Sequence, residues 1–157
     1  MTAAAAPLAA VVLAHGAMDD DAALAARVAT ARAAGAEVIV VALARGRVPP
    51  AGALTARVAA NAPRISALRA GLALLANRPA RLALLLPEGT APDAYDLPAL
   101  VAAARREGAA VTAFVACDLD APPVIVEREA WLELLTLGEQ GIGAVAARRG
   151  LHLIPAR

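Results

Sequence analysis

The sequence predicts an α/β fold, a three-layer α/β/α sandwich around a mostly parallel sheet, from three observations. Short apolar runs without a polar break recur: LAAVVLA at Leu8–Ala14, EVIVVAL at 37–43 and LALLL at Leu82–Leu86. Runs of that length bounded by turn residues read as strands buried on both faces. Between them lie Ala- and Leu-rich stretches of helical length, punctuated by Gly and Pro. Strand–helix–strand units of this kind give parallel strands joined by right-handed crossovers. A chain of 157 residues is expected to form one domain, spanning 1–157.

The elements follow in order. Leu8–Ala14 is the first strand, closed by His15-Gly16. Asp19, Asp20 and Asp21 then open an Ala-rich helix that Gly35 ends, with acidic residues in its first turn where the helix dipole favours them. Residues 37–43 form the second strand. The segment 45–63 is irregular, with Gly46, Pro49, Pro50, Gly52 and Pro63, and holds at most a short strand near 57–60. A helix is predicted at 65–76, with Leu68, Leu72 and Leu75 on one face. After the strand Leu82–Leu86, Asp96 is placed to N-cap a helix running to Glu107, with Pro98 tolerated in its first turn and Gly108 at its end. Strands at 110–116 and 124–126 are separated by a loop at 117–123. A helix around Trp131, a second helix ending at Arg149 and a last strand at Leu151–Ile154 complete the chain. Trp131 is read as core or interface.

Leu82–Leu86 is expected at the centre of the sheet. Pro87 and Gly89 stop it, and Glu88 stands just past its carboxyl end. In open parallel sheets ligands bind outside that edge, which makes Glu88 the first candidate functional residue.

Composition excludes several classes of chemistry. All fifteen basic residues are Arg, so no mechanism that needs a lysine is available, whether Schiff base, phosphate-binding lysine or lysine base. A net charge of +1 argues against a nucleic-acid surface or a polybasic membrane anchor. One cysteine, Cys117, excludes an internal disulfide and a multi-cysteine metal site. The apolar run at the N-terminus lacks a basic flank and is too short to span a bilayer. The expectation is a cytoplasmic protein.

The remaining candidates are few. His15 and Gly16 lie at the carboxyl end of the first strand, on the same edge as Glu88. Asp19, Asp20 and Asp21 serve as helix caps or, together with Glu88, as oxygen donors for a hard cation such as Mg2+. Ser66 sits in the first turn of its helix, where a serine caps the helix or meets a ligand. Cys117, Asp118 and Asp120 form a weak acidic loop pattern, and His152 lies inside a strand.

From Asn61 onward the order of elements and several strings resemble the MobA-like nucleotidyltransferases, the molybdenum-cofactor cytidylyl- and guanylyltransferases. The string ISALRAGL from Ile65 to Leu72 resembles their SSLRAGL helix start. PPVIV from Pro122 to Val126 resembles their GHPVLF strand, and LHLIP from Leu151 to Pro155 their last strand. Counted back without a gap from the string LVAAAR ending at Arg105, Glu88 falls on the family's metal-binding Asp. The resemblance implies a Rossmann-like sheet of the GT-A, nucleotidyltransferase type, with the Leu82–Leu86 strand flanked by Leu8–Ala14 and 110–116. It also marks Ser66 as a ligand contact and Glu88 as a metal position; with the sheet-edge position and the acidic run, the ligand-binding candidates are His15, Gly16, Ser66 and Glu88, and the metal candidates Glu88, Asp19 and Asp20.

The first half departs from that pattern. The family's glycine-rich loop, of the form LAAGxSxRMGxxK, cradles a triphosphate. Here LAHG, from Leu13 to Gly16, matches its first four positions only, and Ala17-Met18-Asp19-Asp20-Asp21 leads straight into the helix. The loop's Arg and Lys are absent and carboxylates stand in their place. A like-charge pair about 4 Å apart costs roughly 1–4 kcal/mol near a surface. The expectation is a degenerate member with weak or no nucleotide binding, acting as a non-catalytic binding or partner subunit linked to molybdenum cofactor metabolism. It is expected to associate as a homodimer or with an obligate protein partner. The alternatives are an active Mg2+-dependent nucleotidyltransferase on a molybdopterin-type or other small phosphorylated substrate, and a structural or assembly protein.

Overall fold

A computed structural model describes residues 6–16, 20–89, 91, 93–115, 123–136 and 141–156. The first strand, β1 (Leu8–Ala14), is buried along its whole length and leads into α1 (Asp21–Ala33). β2 (Val38–Leu43) and β3 (Leu54–Arg57) follow, then α2 (Arg64–Leu75) and β4 (Leu82–Leu86). α3 (Leu97–Glu107), β5 (Val111–Phe114), β6 (Val124–Glu127), α4 (Arg128–Leu134), α5 (Ile142–Arg149) and β7 (Leu151–Ile154) complete the order.

Among the described residues the strands form one seven-stranded sheet in the order β3-β2-β1-β4-β6-β5-β7. β4 is its central strand. It pairs in parallel with β1, Leu8 opposite Leu82 and Val12 opposite Leu86. Its other neighbour corrects the expected order: β6, running antiparallel, lies between β4 and β5. A parallel connection from β5 to β6 would need a crossover of a dozen or more residues. The segment between Phe114 and Val124 is shorter than that, so β6 turns back beside β5 and takes the place next to β4. The short strand expected near 57–60 instead ends at Arg57, because β3 is fixed by its register against β2, Val40 opposite Leu54 and Leu43 opposite Arg57.

Alternating strand residues divide the core into two layers. Ala9, Val11, Leu13, Ala83 and Leu85 face α2, α4 and α5. Ala10, Val12, Leu82, Leu84 and Leu86 face α1 and α3. This is why the runs in β1 and β4 carry no polar residue: neither face reaches water. Many of these positions are alanine, so the helices can lie close to the sheet. At Gly71 of α2 even a Cβ would overlap the Val11 side chain, and only glycine permits that approach. Trp131 is fully buried under β4 and β6, in the core rather than at a surface.

Arginines tie helix and strand ends together. Arg128 donates to the carbonyls of Ala76, Arg78 and Ala80 at 2.7–2.9 Å, closing the turn between α2 and β4, and its guanidinium lies 5.1 Å from the Trp131 ring centre. Arg69 donates to the Leu134 carbonyl at 2.7 Å, joining α2 to α4. No described helix is long and apolar enough to cross a membrane.

α4 and α5 are joined by Glu133, which accepts from Arg149 and, at 2.6 Å, from Arg148. The hydrogen bond from Arg149, with those from Arg148 and the charge of both behind it, outweighs desolvation and holds the Glu133 carboxyl below its ordinary value of 4.5. A depressed carboxyl contributes stability in full above the unfolded value, and loses it as pH falls through the folded value. The thermal midpoint of Glu133→Gln should therefore lie below that of the unchanged protein at pH 7, and the gap should close as pH falls below 4.5. Calorimetric scans across that range check this, and a gap that does not vary with pH would refute it.

Candidate functional site

β1 and β4 are parallel neighbours whose carboxyl ends emerge side by side, so His15-Gly16 and Pro87-Glu88 form adjoining turns on one edge of the sheet. The sequence-predicted residues His15, Gly16 and Glu88 do meet there. The Gly16 N–H donates to Glu88 Oε2 at 3.2 Å. A Cβ on Gly16 would come within 2.6 Å of the same oxygen, so the close approach of carboxylate to backbone depends on glycine.

The two turns are fixed from below by Arg27, which sequence reasoning did not single out. It is 2% exposed and projects from α1 to donate to the carbonyls of Leu13 at 2.9 Å, Leu86 at 3.1 Å and Pro87. These carbonyls lie at the ends of β1 and β4, where the ladder runs out and water does not reach. The signal was present: Arg27 falls on the buried stripe of α1 with Leu24, Val28 and Ala31, where an arginine needs acceptors inside the protein.

His15 is buried and donates through Nε2 to the Ala62 carbonyl at 3.1 Å, which ties the end of β1 to the segment entering α2. In that bond Nε2 carries a proton, and Nδ1 has no partner among the described residues. Asp20 is the N-cap of α1, accepting from Ala23 N at 2.7 Å. Asp21 pairs with Arg47 at 3.2 Å, and Arg47 also donates to the Ala14 carbonyl at 3.2 Å. An open cleft of about 470 Å³ lies over these groups, lined by His15, Gly16, Asp20, Asp21 and Arg47. A second lobe of about 490 Å³, lined by Arg45, Arg57 and Val58, shares Ala44 and Ala60 with the first.

The other candidates are placed as follows. Ser66 is exposed in the first turn of α2, whose N-cap is Pro63 with no side-chain capping bond, so Ser66 does not cap the helix. His152 is half-buried on the edge strand β7. Asp19 lies outside the described residues, as do Cys117, Asp118 and Asp120. Of the metal candidates, Asp20 lines the cleft and Glu88 holds Gly16. Among the described residues no three His, Cys, Asp or Glu side chains are grouped to hold a metal ion.

No known family model and no curated protein matches this sequence. Solved structures do. The chain is similar to Rv0371c from Mycobacterium tuberculosis H37Rv, at 20% identity and a TM-score of 0.73 over 98% of this chain and 89% of that one. Rv0371c has also been solved in complex with manganese. Glucosyl-3-phosphoglycerate synthase from Mycobacterium tuberculosis, in complex with Mn2+, uridine-diphosphate and phosphoglyceric acid, matches at 12% identity and a TM-score of 0.63 over 96% of this chain and 68% of that one. The 2-C-methyl-D-erythritol 4-phosphate cytidylyltransferase from Thermus thermophilus matches at 20% identity and a TM-score of 0.57, over 95% and 89% of the two chains. The sheet is thus the Rossmann-like, nucleotidyltransferase-type fold that the sequence resemblance implied.

Removing the Arg27 guanidinium would take one donor from each of three buried carbonyls, each loss costing up to about 1–3 kcal/mol, offset in part because a buried charge is itself costly to desolvate. Arg27→Met should lower unfolding stability by about 2–4 kcal/mol in a urea titration. A loss below about 1 kcal/mol would show that these carbonyls do not depend on Arg27.

Proposed function

We propose that this protein is a nucleotidyltransferase-fold binding protein that has lost triphosphate handling, a degenerate relative of the MobA-like transferases acting as a binding or partner subunit. One observation carries the reading. Phosphates are held at such edges by backbone N–H groups, a helix N-terminus and cations. Here the Gly16 N–H at that position is bonded to the Glu88 carboxylate, and Asp20 and Asp21 line the cleft at the start of α1. An entering phosphate would displace one carboxylate and meet two others, and Arg47, the cation lining that cleft, is already paired with Asp21. The absence of lysine from the chain points the same way, and the order of the resembling strings supports a link to molybdenum cofactor metabolism.

A second reading, metal-dependent nucleotidyl transfer, is favoured by the manganese in two of the similar structures and by the oxygen donors of Asp20 and Glu88, which suit a hard cation. A bound Mg2+ or Mn2+ would supply positive charge against phosphate oxygens. To take part, Glu88 would have to release Gly16.

Calorimetric titration with CTP and GTP, each with Mg2+ and with Mn2+, separates the two readings. The first expects no heat of specific binding. A dissociation constant in the low micromolar range with either metal would overturn it in favour of the second.

The same reading includes a protein partner, either a second copy or another chain. Exposed Leu151 and Leu153 on the edge strand β7, with Val115 near it, support this, since unpaired edges carrying apolar side chains favour association. Light scattering at micromolar concentration, with co-purification from the native host, is expected to find a dimer or a stoichiometric complex. A monomer without a partner in both measurements would remove this part of the reading.

A further inference from the structure

The two lobes of the cleft share Ala44 and Ala60, so they form one groove along the carboxyl ends of β1, β2 and β3. Its inner end carries an acceptor that the described residues leave bare. His15 is 6% exposed, its Nε2 proton is held by the Ala62 carbonyl, and its Nδ1 lone pair meets no donor among them. Buried acceptors are almost always bonded, because leaving one bare is destabilising. Nδ1 itself is enclosed just behind the cleft wall, so a ligand's donor reaches it through a water or with a small shift of the ring. Asp20 adds carboxylate acceptors at the same end.

The outer end is of opposite character. Arg45 is exposed and has no hydrogen bond or ion pair among the described residues. Arg57 uses one nitrogen, Nη1, for the carbonyls of Ala44 and Arg47, both at 2.8 Å. Its other nitrogens have no acceptor among the described residues. Two guanidinium groups in one lobe match the planar, bidentate recognition of a phosphate. Lobes of about 470 and 490 Å³ fall within the roughly 300–1,000 Å³ of small-molecule sites.

We propose that this groove binds a phosphate monoester of a hydroxylated small molecule, its phosphate on Arg45 and Arg57 and a ligand hydroxyl donating to His15 Nδ1, directly or through one water. The proposal rests on the reading that the inner edge does not take a triphosphate. Asp20 repels further phosphates there, Asp21 holds the Arg47 guanidinium, and Glu88 occupies the Gly16 N–H, so the anion is directed to the outer lobe and the donor-rich, uncharged part of the ligand points inward.

The test is a titration of 15N-labelled protein followed by NMR, with ribose 5-phosphate, inorganic phosphate and unphosphorylated ribose as separate probes. Ribose 5-phosphate should produce saturable shifts at the amides of Ala44, Arg45 and Ala60. Arg45→Ala should weaken it about tenfold, the usual effect of one charge-assisted hydrogen bond. His15→Phe should weaken ribose 5-phosphate about fivefold and leave inorganic phosphate unchanged, since only the ester carries the hydroxyl. If that variant does not fold, methyl phosphate, an ester without a hydroxyl, is titrated into the unchanged protein instead and should bind about fivefold more weakly than ribose 5-phosphate. No saturable shift up to about 10 mM ribose 5-phosphate, a site too weak to be a binding function, would overturn the proposal. So would shifts that persist undiminished in Arg45→Ala, or equal affinity for phosphate and its ester. These outcomes leave the reading of lost triphosphate handling intact. Tight CTP binding that survives Arg45→Ala overturns that reading alone.

Discussion

A single guanidinium sets the geometry of the carboxyl edge. β1 and β4 end side by side with carbonyls at the limit of their shared ladder, in a buried place beneath α1. Arg27 answers three of them at once. Gly16 reaches Glu88 because both turns leave their strands from carbonyls held by the same side chain. The floor of the cleft inherits this rigidity. The chain contains no lysine, so a role that needs several donors in a fixed plane falls to arginine throughout, at Arg27 below the carboxyl edge and at Arg128 by the amino end of β4. In both places the guanidinium answers backbone carbonyls.

The strands were legible where burial alone decides them. β1 and β4 occupy the expected residues, because an unbroken apolar run flanked by turn residues has one conformation that hides both of its faces; β7 also lies where expected, though as an edge strand with Leu151 and Leu153 exposed. β3 was displaced, since Leu54–Arg57 has no clear apolar alternation and its position is set by pairing with β2, a long-range fact. The neighbour of β4 was misplaced by the family resemblance, although the short segment between Phe114 and Val124 already ruled out a parallel crossover. Loop length carried topological information that residue identity did not.

The sheet-edge rule placed His15, Gly16 and Glu88 on one edge, and they lie together there, because strand ends are fixed once the strands are. What they do to one another was not legible. A carboxylate and a glycine amide, each suited alone to meet a ligand, are each other's partners, far apart in the sequence. The arginines of the groove, Arg45, Arg47 and Arg57, lie in the irregular segment and belong to no motif. Their relation to His15 arises only when β1, β2 and β3 are aligned.

The insertion of β6 between β4 and β5 has a consequence for the order in which the chain can assemble. Among the described residues β5 pairs in the sheet with β6 and β7 and with no other strand, so it does not join β1 and β4 directly. Emerging from its N-terminus, the chain can form a four-stranded half-sheet of β3, β2, β1 and β4, with α1 and α2 on opposite faces. The outer edge of that half-sheet is LALLL, apolar and uncharged, the kind of strand that recruits other chains. Nothing closes it until residues 124–127 have been synthesised and have turned back alongside it. The C-terminal part of the molecule thus serves as the cover for its stickiest surface. The interval between making β4 and making β6 is the period of synthesis in which this protein is most exposed to misassembly.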